Sequence, residues 1–236
     1  MEFEGRTVVL TGVGRPGQVG EAVAQAFAER GARLMLVDRK REEAGARADS
    51  LIARGFRASA FAADLTDVAA VTALANTIRD QADGQVHAVV HIAGGFSMSG
   101  PVAESDPEDW TRLFAINGTT AYLVARAFIP LLRATHGSLV CFASEAVLPG
   151  ATARNRVAYA AAKGAVVTLV RAIAEEERSS GVRANAVAPS TIRTADNIAA
   201  MGEQPAMVSR EAVAEVVRWL ASDAARVVTG QLIAVR

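Results

Sequence analysis

The stretch Thr7-Val8-Val9-Leu10-Thr11-Gly12-Val13-Gly14-Arg15-Pro16-Gly17-Gln18-Val19-Gly20 runs from a β-branched apolar segment through a glycine-rich turn into a segment of helical period, Val19 to Arg30. A strand that feeds a helix through glycines lets the backbone approach a ligand closely. The helix N-terminus then adds free N–H groups and the positive end of a dipole, which together suit a pyrophosphate. Gly12, Gly14 and Gly17 spell G-x-G-x-x-G, a weak signal when it stands alone. Asp38, at the end of the next apolar run, lies 26 positions beyond Gly12, against an expectation of ~20. The turn therefore carries extra residues before its helix, and Gly20 becomes the glycine packed against the sheet.

The same alternation continues to the end of the chain. Strands are predicted at Thr7 to Thr11, Arg33 to Asp38, Arg57 to Ala62, His87 to Ile92, Ser138 to Phe142, Arg183 to Ala188 and Gln231 to Val235. Helices are predicted at Val19 to Arg30, Arg41 to Ala53, Asp67 to Gln81, Pro107 to Arg133, Tyr159 to Ser180 and Ser209 to Ser222. Short apolar runs alternating with amphipathic segments make βαβ units, and right-handed crossovers wind them into one parallel sheet. The fold class is thus α/β: a Rossmann-like, doubly wound, seven-stranded parallel sheet in a three-layer αβα domain covering residues 1–236. Ligands of such a sheet sit at the carboxyl ends of the strands.

Composition narrows the function classes. The 236 residues carry 25 basic and 25 acidic side chains and are 51% hydrophobic, so the surface is balanced and advertises neither a nucleic-acid nor an anionic-membrane partner. The charged start Met1-Glu2-Phe3-Glu4-Gly5-Arg6 does not read as a signal peptide, and no uninterrupted apolar stretch approaches ~18 residues. Cys141 is the only cysteine, which excludes an intrachain disulfide and a cysteine zinc site. A cytoplasmic enzyme or binding protein without a metal is the expectation.

Chemistry enters with Tyr159-Ala160-Ala161-Ala162-Lys163, which puts a phenol and an ammonium one helical turn apart on one face. A free tyrosine titrates near ~10, and a nearby cation lowers that value, so Lys163 can make Tyr159 a working acid and base. Y-x-x-x-K alone is common by chance. Ser144, at the end of the strand Ser138 to Phe142 and its two following residues, puts a hydroxyl into the same cleft, suited to hydrogen-bonding a substrate oxygen. Asp38 is placed to bond adenosine ribose hydroxyls and to repel a 2′-phosphate, which favours NAD. Arg15 and Arg39 could pair with that phosphate and keep NADP open.

Over nearly its whole length the chain resembles the short-chain dehydrogenase/reductase family. Thr11 to Gly20 is similar to the family's T-G-x-x-x-G-x-G turn, Asp64-Leu65 to its adenine-contacting dipeptide, and Ala93-Gly94 to the second half of its N-N-A-G strand end. Asn117 resembles the family's helix asparagine and completes a tetrad with Ser144, Tyr159 and Lys163. Asn185-Ala186-Val187-Ala188-Pro189 resembles the strand after the catalytic helix, with Ile192 and Thr194 where the family contacts the nicotinamide carboxamide. The resemblance implies Gly12, Gly14, Arg15, Gly17, Gln18, Val19, Asp38, Arg39, Asp64, Leu65, Ala93, Gly94, Tyr159, Lys163, Pro189, Ile192 and Thr194 as cofactor contacts. It also implies that Tyr159 exchanges the substrate proton, that Lys163 holds the nicotinamide ribose and that Asn117 orders a proton-relaying water.

Departures accompany the match. The turn is two residues longer than the family pattern, His91-Ile92 replaces the paired asparagines, Ser190 replaces the glycine after Pro189, and Ser144 to Tyr159 is two residues longer. His91 reads as a strand-end hydrogen-bonding residue, since Tyr159 already fills the acid–base role. The long turn echoes enoyl-acyl-carrier reductases, and Pro189 to Thr194 with Asn197 and Met201 echoes dihydropteridine-reductase-like members. Three functions follow in order: a carbonyl/alcohol oxidoreductase of the ketoacyl-reductase kind, a reductase of a C=N or C=C bond, and a cofactor-sensing protein without turnover. The segment Ile192 to Ser209, with Met201, Pro205 and Met207, reads either as an apolar flap or as plain surface loop. A homodimer or homotetramer is expected, because Tyr122, Val124 and Phe128 on one long helix and Val167, Val170 and Ile173 on another offer more apolar surface than one sheet face needs.

Overall fold

Alternating side chains along β1 (Thr7–Thr11) decide the layering, because Val8 and Leu10 enter one apolar cluster and Val9 enters the other. The computed structural model describes residues 1–236, and β1 is central in its sheet. The other strands are β2 (Arg33–Asp38), β3 (Arg57–Ala62), β4 (Ala88–His91), β5 (Ser138–Phe142), β6 (Arg183–Pro189) and β7 (Leu232–Val235). All pairs are parallel and the order is β3-β2-β1-β4-β5-β6-β7. Order reverses between β1 and β4, so the crevice of this sheet opens at their carboxyl ends.

One face is covered by α1 (Val19–Ala28), α2 (Arg41–Ile52) and, from late in the chain, a helix at Arg210–Ala221. Phe27, Leu51, Val217 and Leu220 from these helices pack on Val8, Leu10 and Leu34. The other face carries α3 (Val68–Gln81), a long helix over Pro107–Arg133 and α6 (Val157–Glu176), which contribute Ile78, Phe128, Leu132, Val166 and Val170. By length and composition these last two helices could cross a bilayer. In the fold their apolar sides are spent on the sheet.

The long helix is not uniform. It comprises α4 (Pro107–Phe114), a π-helical turn over Ala115–Thr119 and α5 (Thr120–Arg133). Asp106 caps its start by accepting from the Glu108 N–H, with Pro107 in the first turn where no amide is needed. A π-turn inserts a residue into the ladder and is frequently found at functional sites. Here it holds Asn117.

The expected elements are present with shifted ends. β4 lacks His87 and Ile92, α6 starts at Val157 rather than Tyr159, and it stops at Glu176, where a 3₁₀ turn over Arg178–Ser180 and Gly181 at φ 73° take over. A helix at Ala195–Met201, α7, was not expected from the sequence; Thr194 caps it by accepting from Asn197 N–H at 3.2 Å. It is followed by α8, the helix Arg210–Ala221 already placed on the first face. The region from Ile192 to Ser209 is therefore a structured arm, tied to the body by the Ile192–Val208 bridge with Met207 buried. The apolar residues expected to spill onto a subunit surface do not: Val124, Phe128, Val167, Val170 and Ile173 are buried within the chain, and only Tyr122, 51% accessible, is exposed. The sheet face is broad enough to absorb the rest.

Candidate active site

Each glycine of the first turn has its own steric reason. Gly12 adopts φ 76°, and a Cβ there would lie 2.7 Å from the Ala93 backbone, so β1 and β4 close together only without a side chain. A Cβ on Gly20 would lie 2.6 Å from the Gly12 carbonyl oxygen, which makes Gly20 the residue that seats α1 against β1. Gly14 approaches Glu43 and donates its N–H to Asp38 Oδ2 at 2.9 Å. Gly17, at φ 71°, meets Ala195 of α7, whose N–H donates to the Gly17 carbonyl at 3.0 Å. Thus the three literal G-x-G-x-x-G glycines serve three different neighbours: the end of β4 at Ala93, the Asp38 and Glu43 side chains, and Ala195 of the late arm.

Glu21 latches this turn from beneath. Its carboxylate accepts from Gly17 N–H at 2.8 Å, from Arg47 at 2.6 Å and from Arg210 at 3.1 Å. Burial pushes the Glu21 carboxyl up, but the Gly17 N–H and the two guanidinium groups outweigh it and hold the group below its ordinary value. A carboxyl with a lowered folded value binds fewer protons than the unfolded chain, so its stabilisation is complete above the unfolded value and is lost as pH falls through the folded one. Glu21→Gln is expected to weaken dinucleotide affinity by about tenfold and to flatten the acid limb of a melting-temperature profile below about pH 4.5. Cofactor fluorescence titration and thermal melts against pH check both effects.

Two contiguous clefts follow the carboxyl ends of the strands. The first, ≈ 560 Å³, is lined by Gly12, Arg15, Gln18, Val19, Asp38, Arg39, Asp64, Leu65, Ala93 and Gly94, among others. The second, ≈ 330 Å³, brings Gly94, Asn117, Ser144, Tyr159, Lys163, Pro189 and Ile192 together. Val19, Ile92 and Gly94 line both, so one trough leads from Asp38 to Tyr159. Most sequence-predicted cofactor contacts fall on this trough. Gly14 and Gly17 shape the turn from behind it, and Thr194 turns its hydroxyl to cap α7 instead of lining the cleft.

Ser144, in extended backbone at the end of β5, accepts from Ala146 N–H at 3.2 Å, which leaves its own hydroxyl proton to donate. Tyr159 stacks edge-on against Phe96 with centroids 5.0 Å apart. Burial lifts the Tyr159 phenol above the ordinary tyrosine value, the Ser144 hydroxyl and Arg156 pull it partly back, and Glu145 adds to the rise. The downward shift expected from Lys163 is therefore not what this geometry gives. The reason is positional: the Lys163 ammonium lies 6.0 Å from the Tyr159 ring centre and donates to the Phe142 carbonyl at 2.7 Å. Lys163 is itself buried, and burial lowers its value to about 8.

Asn117 makes three of the four hydrogen bonds open to its side chain within the chain. Its amide donates to the Gly95 and Leu113 carbonyls at 2.9 and 3.0 Å, and its oxygen accepts from Gly95 N–H at 3.2 Å. A Cβ on Gly94 would lie 2.5 Å from that oxygen and 3.3 Å from the Lys163 nitrogen, so the strand end, the asparagine and the lysine fit together only through a glycine. His91 is buried between Thr11 and Thr120, at 2.9 and 3.1 Å. Because the Thr120 hydroxyl donates to the Ile116 carbonyl, its oxygen is left to accept from His91 Nε2–H, and Nδ1 accepts from Thr11. Burial and the Lys163 charge push His91 down to about 3, so it stays neutral. Cys141 is likewise inert, its thiol pushed up to about 12 by burial.

Sequence reasoning missed Phe96, Ile116, Thr120, Glu145, Arg156, Thr191 and Asn197 among the trough-lining residues. Ile116 and Thr120 flank Asn117 in the π-turn, and that turn has no signature in a helical period. Arg156 precedes the helix that carries Tyr159 and was readable as a charge three positions before it.

A trough at a sheet switch point, ending at a serine, a tyrosine and a buried lysine, defines a dinucleotide-dependent oxidoreductase. Comparison with known proteins agrees. Residues 12–236 match the family model described as "Enoyl-(Acyl carrier protein) reductase". The chain is 34% identical over 256 residues to 2-(S)-hydroxypropyl-CoM dehydrogenase 3 of Xanthobacter autotrophicus, covering 99% of this chain and 96% of that one. It is 34% identical over 194 residues to meso-2,3-butanediol dehydrogenase of Serratia marcescens, covering 82% and 74%. The structure of a short-chain type dehydrogenase/reductase from Mycobacterium ulcerans superposes with a TM-score of 0.91 at 30% identity, covering 100% and 90%. The chain belongs to the short-chain dehydrogenase/reductase family and is an NAD(P)-dependent oxidoreductase acting on CH–OH or C=O groups.

Proposed function

We propose that the protein interconverts a secondary alcohol and a ketone with NAD, and that Ser144, Tyr159 and Lys163 carry the reaction. The observation that supports it most directly is the convergence of the Ser144 hydroxyl and the Tyr159 phenol at the end of the trough. When bound, the cofactor supplies or accepts the hydride. Ser144 donates a hydrogen bond to the substrate oxygen, and Tyr159 gives that oxygen its proton in reduction or takes it in oxidation. Lys163 grips the ribose hydroxyls from the floor of the cleft, and Asn117 is a positioning residue that holds Gly94 and Gly95 against it. Two relatives are named for 2-hydroxypropyl and 2,3-butanediol groups, both secondary alcohols, which favours a carbonyl over a C=N or C=C bond.

Asp38 supports NAD over NADP. Its Oδ2 is held by Gly14 N–H and its Oδ1 by Arg39 N–H, so the carboxylate is fixed at the adenosine end of the trough. Arg15, one of two candidates for a 2′-phosphate, pairs with Asp196 of α7 at 2.5 Å. Fluorescence titration is expected to show NADH binding at least about tenfold tighter than NADPH. Tighter NADPH binding would return Arg15 and Arg39 to the cofactor site.

The assembly proposed is a homodimer or homotetramer. Trp110 at 45% and Tyr122 at 51% accessibility, on the outer side of α4 and α5, offer the apolar contact. Light scattering at micromolar protein should give a multiple of 24.6 kDa, and a monomeric mass would refute it. A cytoplasmic location is part of the same proposal, in keeping with a single thiol, Cys141, that is free and buried.

A further inference from the structure

The catalytic cleft contains three charged side chains, Glu145, Arg156 and Lys163. Lys163 is buried, donates one N–H to the Phe142 carbonyl, and is assigned above to the cofactor ribose. Arg156 is different. It is half-buried, and the only hydrogen bonds of its side chain run from Nε and Nη2 to one carbonyl oxygen, that of Thr152, at 3.2 and 2.9 Å. No ion pair joins it to Glu145 or to any other carboxylate, so the remaining N–H donors of a full cation point at no protein acceptor.

Its placement is built. Asn155 adopts φ 59°, a left-handed conformation uncommon outside glycine, and its carbonyl accepts from Ser99 N–H at 2.8 Å and Gly100 N–H at 3.1 Å. That contact ties the segment carrying Phe96 to the residue before Arg156, and Arg156 then starts the helix that presents Tyr159 one turn later. Phe96, 56% accessible, and Met201, 49% accessible, form apolar walls of the same cleft.

We propose that Arg156 determines specificity by binding an anionic group of the substrate, so that the protein acts on keto or hydroxy compounds bearing one carboxylate or comparable monoanion a few atoms from the reacting carbon. This rests on the carbonyl/alcohol reading above and adds the substrate class. A guanidinium with spare donors binds a carboxylate through charge-assisted, geometrically selective hydrogen bonds. Glu145, the one carboxylate lining the cleft, limits the accepted charge, because a second anionic group on the substrate would face it. The apolar walls of Phe96 and Met201 suit the short carbon chain between the reacting carbon and the anion.

The test compares 4-oxopentanoate with its methyl ester, a ketone pair alike except for charge. Binding of each to the NADH complex is followed by cofactor fluorescence, and reduction by loss of NADH absorbance. Parent protein is expected to favour the anion. Arg156→Gln is expected to lower kcat/KM for the anion ~10- to 100-fold more than for the ester, mainly through KM, with Arg156→Lys recovering part of the difference. Equal losses for both ketones, or a parent protein that binds both or neither alike while NADH binds normally, would overturn the inference and leave the oxidoreductase reading intact. Failure of the parent protein to bind reduced cofactor at all would instead overturn that reading.

Discussion

Replacing Tyr159 with phenylalanine is expected to lower ketone reduction by ~10² to 10⁴ or more, with NADH affinity within about twofold of the parent. The change removes one hydroxyl and keeps the ring. The edge-on contact with Phe96 survives, as does the packing of α6, so fold and trough persist. What disappears is the proton that the proposed reaction gives to the substrate oxygen. Burial raises the phenol above its ordinary value, which favours the protonated form that reduction uses. Oxidation needs the opposite form, so the alcohol-oxidising rate of the parent should climb through the alkaline range. Steady-state rates in both directions between pH 6 and 10, for parent and variant, check this; a phenylalanine variant turning over at the parent rate would remove Tyr159 from the mechanism.

Lys163→Met is the second large effect, and it acts in two directions. Turnover should fall by a similar ~10² or more, and NADH affinity should fall with it, because the ammonium is assigned to the ribose. Stability should rise. Burial holds Lys163 at about 8 against an ordinary 10.5, so between those values the folded chain binds fewer protons than the unfolded one. Stability of the parent therefore increases with pH across that window, and below it the full cost of a buried charge is present. Methionine fills similar space without the charge. The variant should melt higher than the parent at pH 7, and its advantage should narrow as pH rises from 8 toward 10.5. Equal melting temperatures at pH 7 would show that the ammonium is better solvated than its surroundings indicate.

The doubly wound parallel sheet was legible because short β-branched runs alternate with helical segments, and because Gly12 and Asp38 end the first two strands; the order of its strands was not. Gly20 could be assigned as the packed glycine from chain length alone, and the clash its Cβ would make with Gly12 agrees. The π-turn at Asn117 was not legible, since one extra residue in a ladder leaves the apolar period almost unchanged. Nor was α7, which is only seven residues long and buries no residue of its own, so it has no apolar stripe to read. The same limit explains the misjudged subunit surface: periodicity says that Val124 and Val170 are apolar, but how much sheet lies beneath them is a property of the assembled layers. The influence of Lys163 on Tyr159 depended on which way a four-carbon chain points. Spacing of four places the two residues on one face, but the Phe142 carbonyl decides where the ammonium goes.

The most direct measurement of the central claim is isotope transfer. Reduced NAD carrying deuterium at the transferable position is incubated with ketones that include 3-hydroxybutan-2-one and 4-oxopentanoate, and with an enoyl and an imine compound, and the products are analysed by mass spectrometry. One deuterium is expected on the carbinol carbon of an alcohol product, with the hydroxyl proton drawn from solvent. Deuterium appearing only in a product of C=C or C=N reduction, or in no product while the cofactor stays bound, would contradict it.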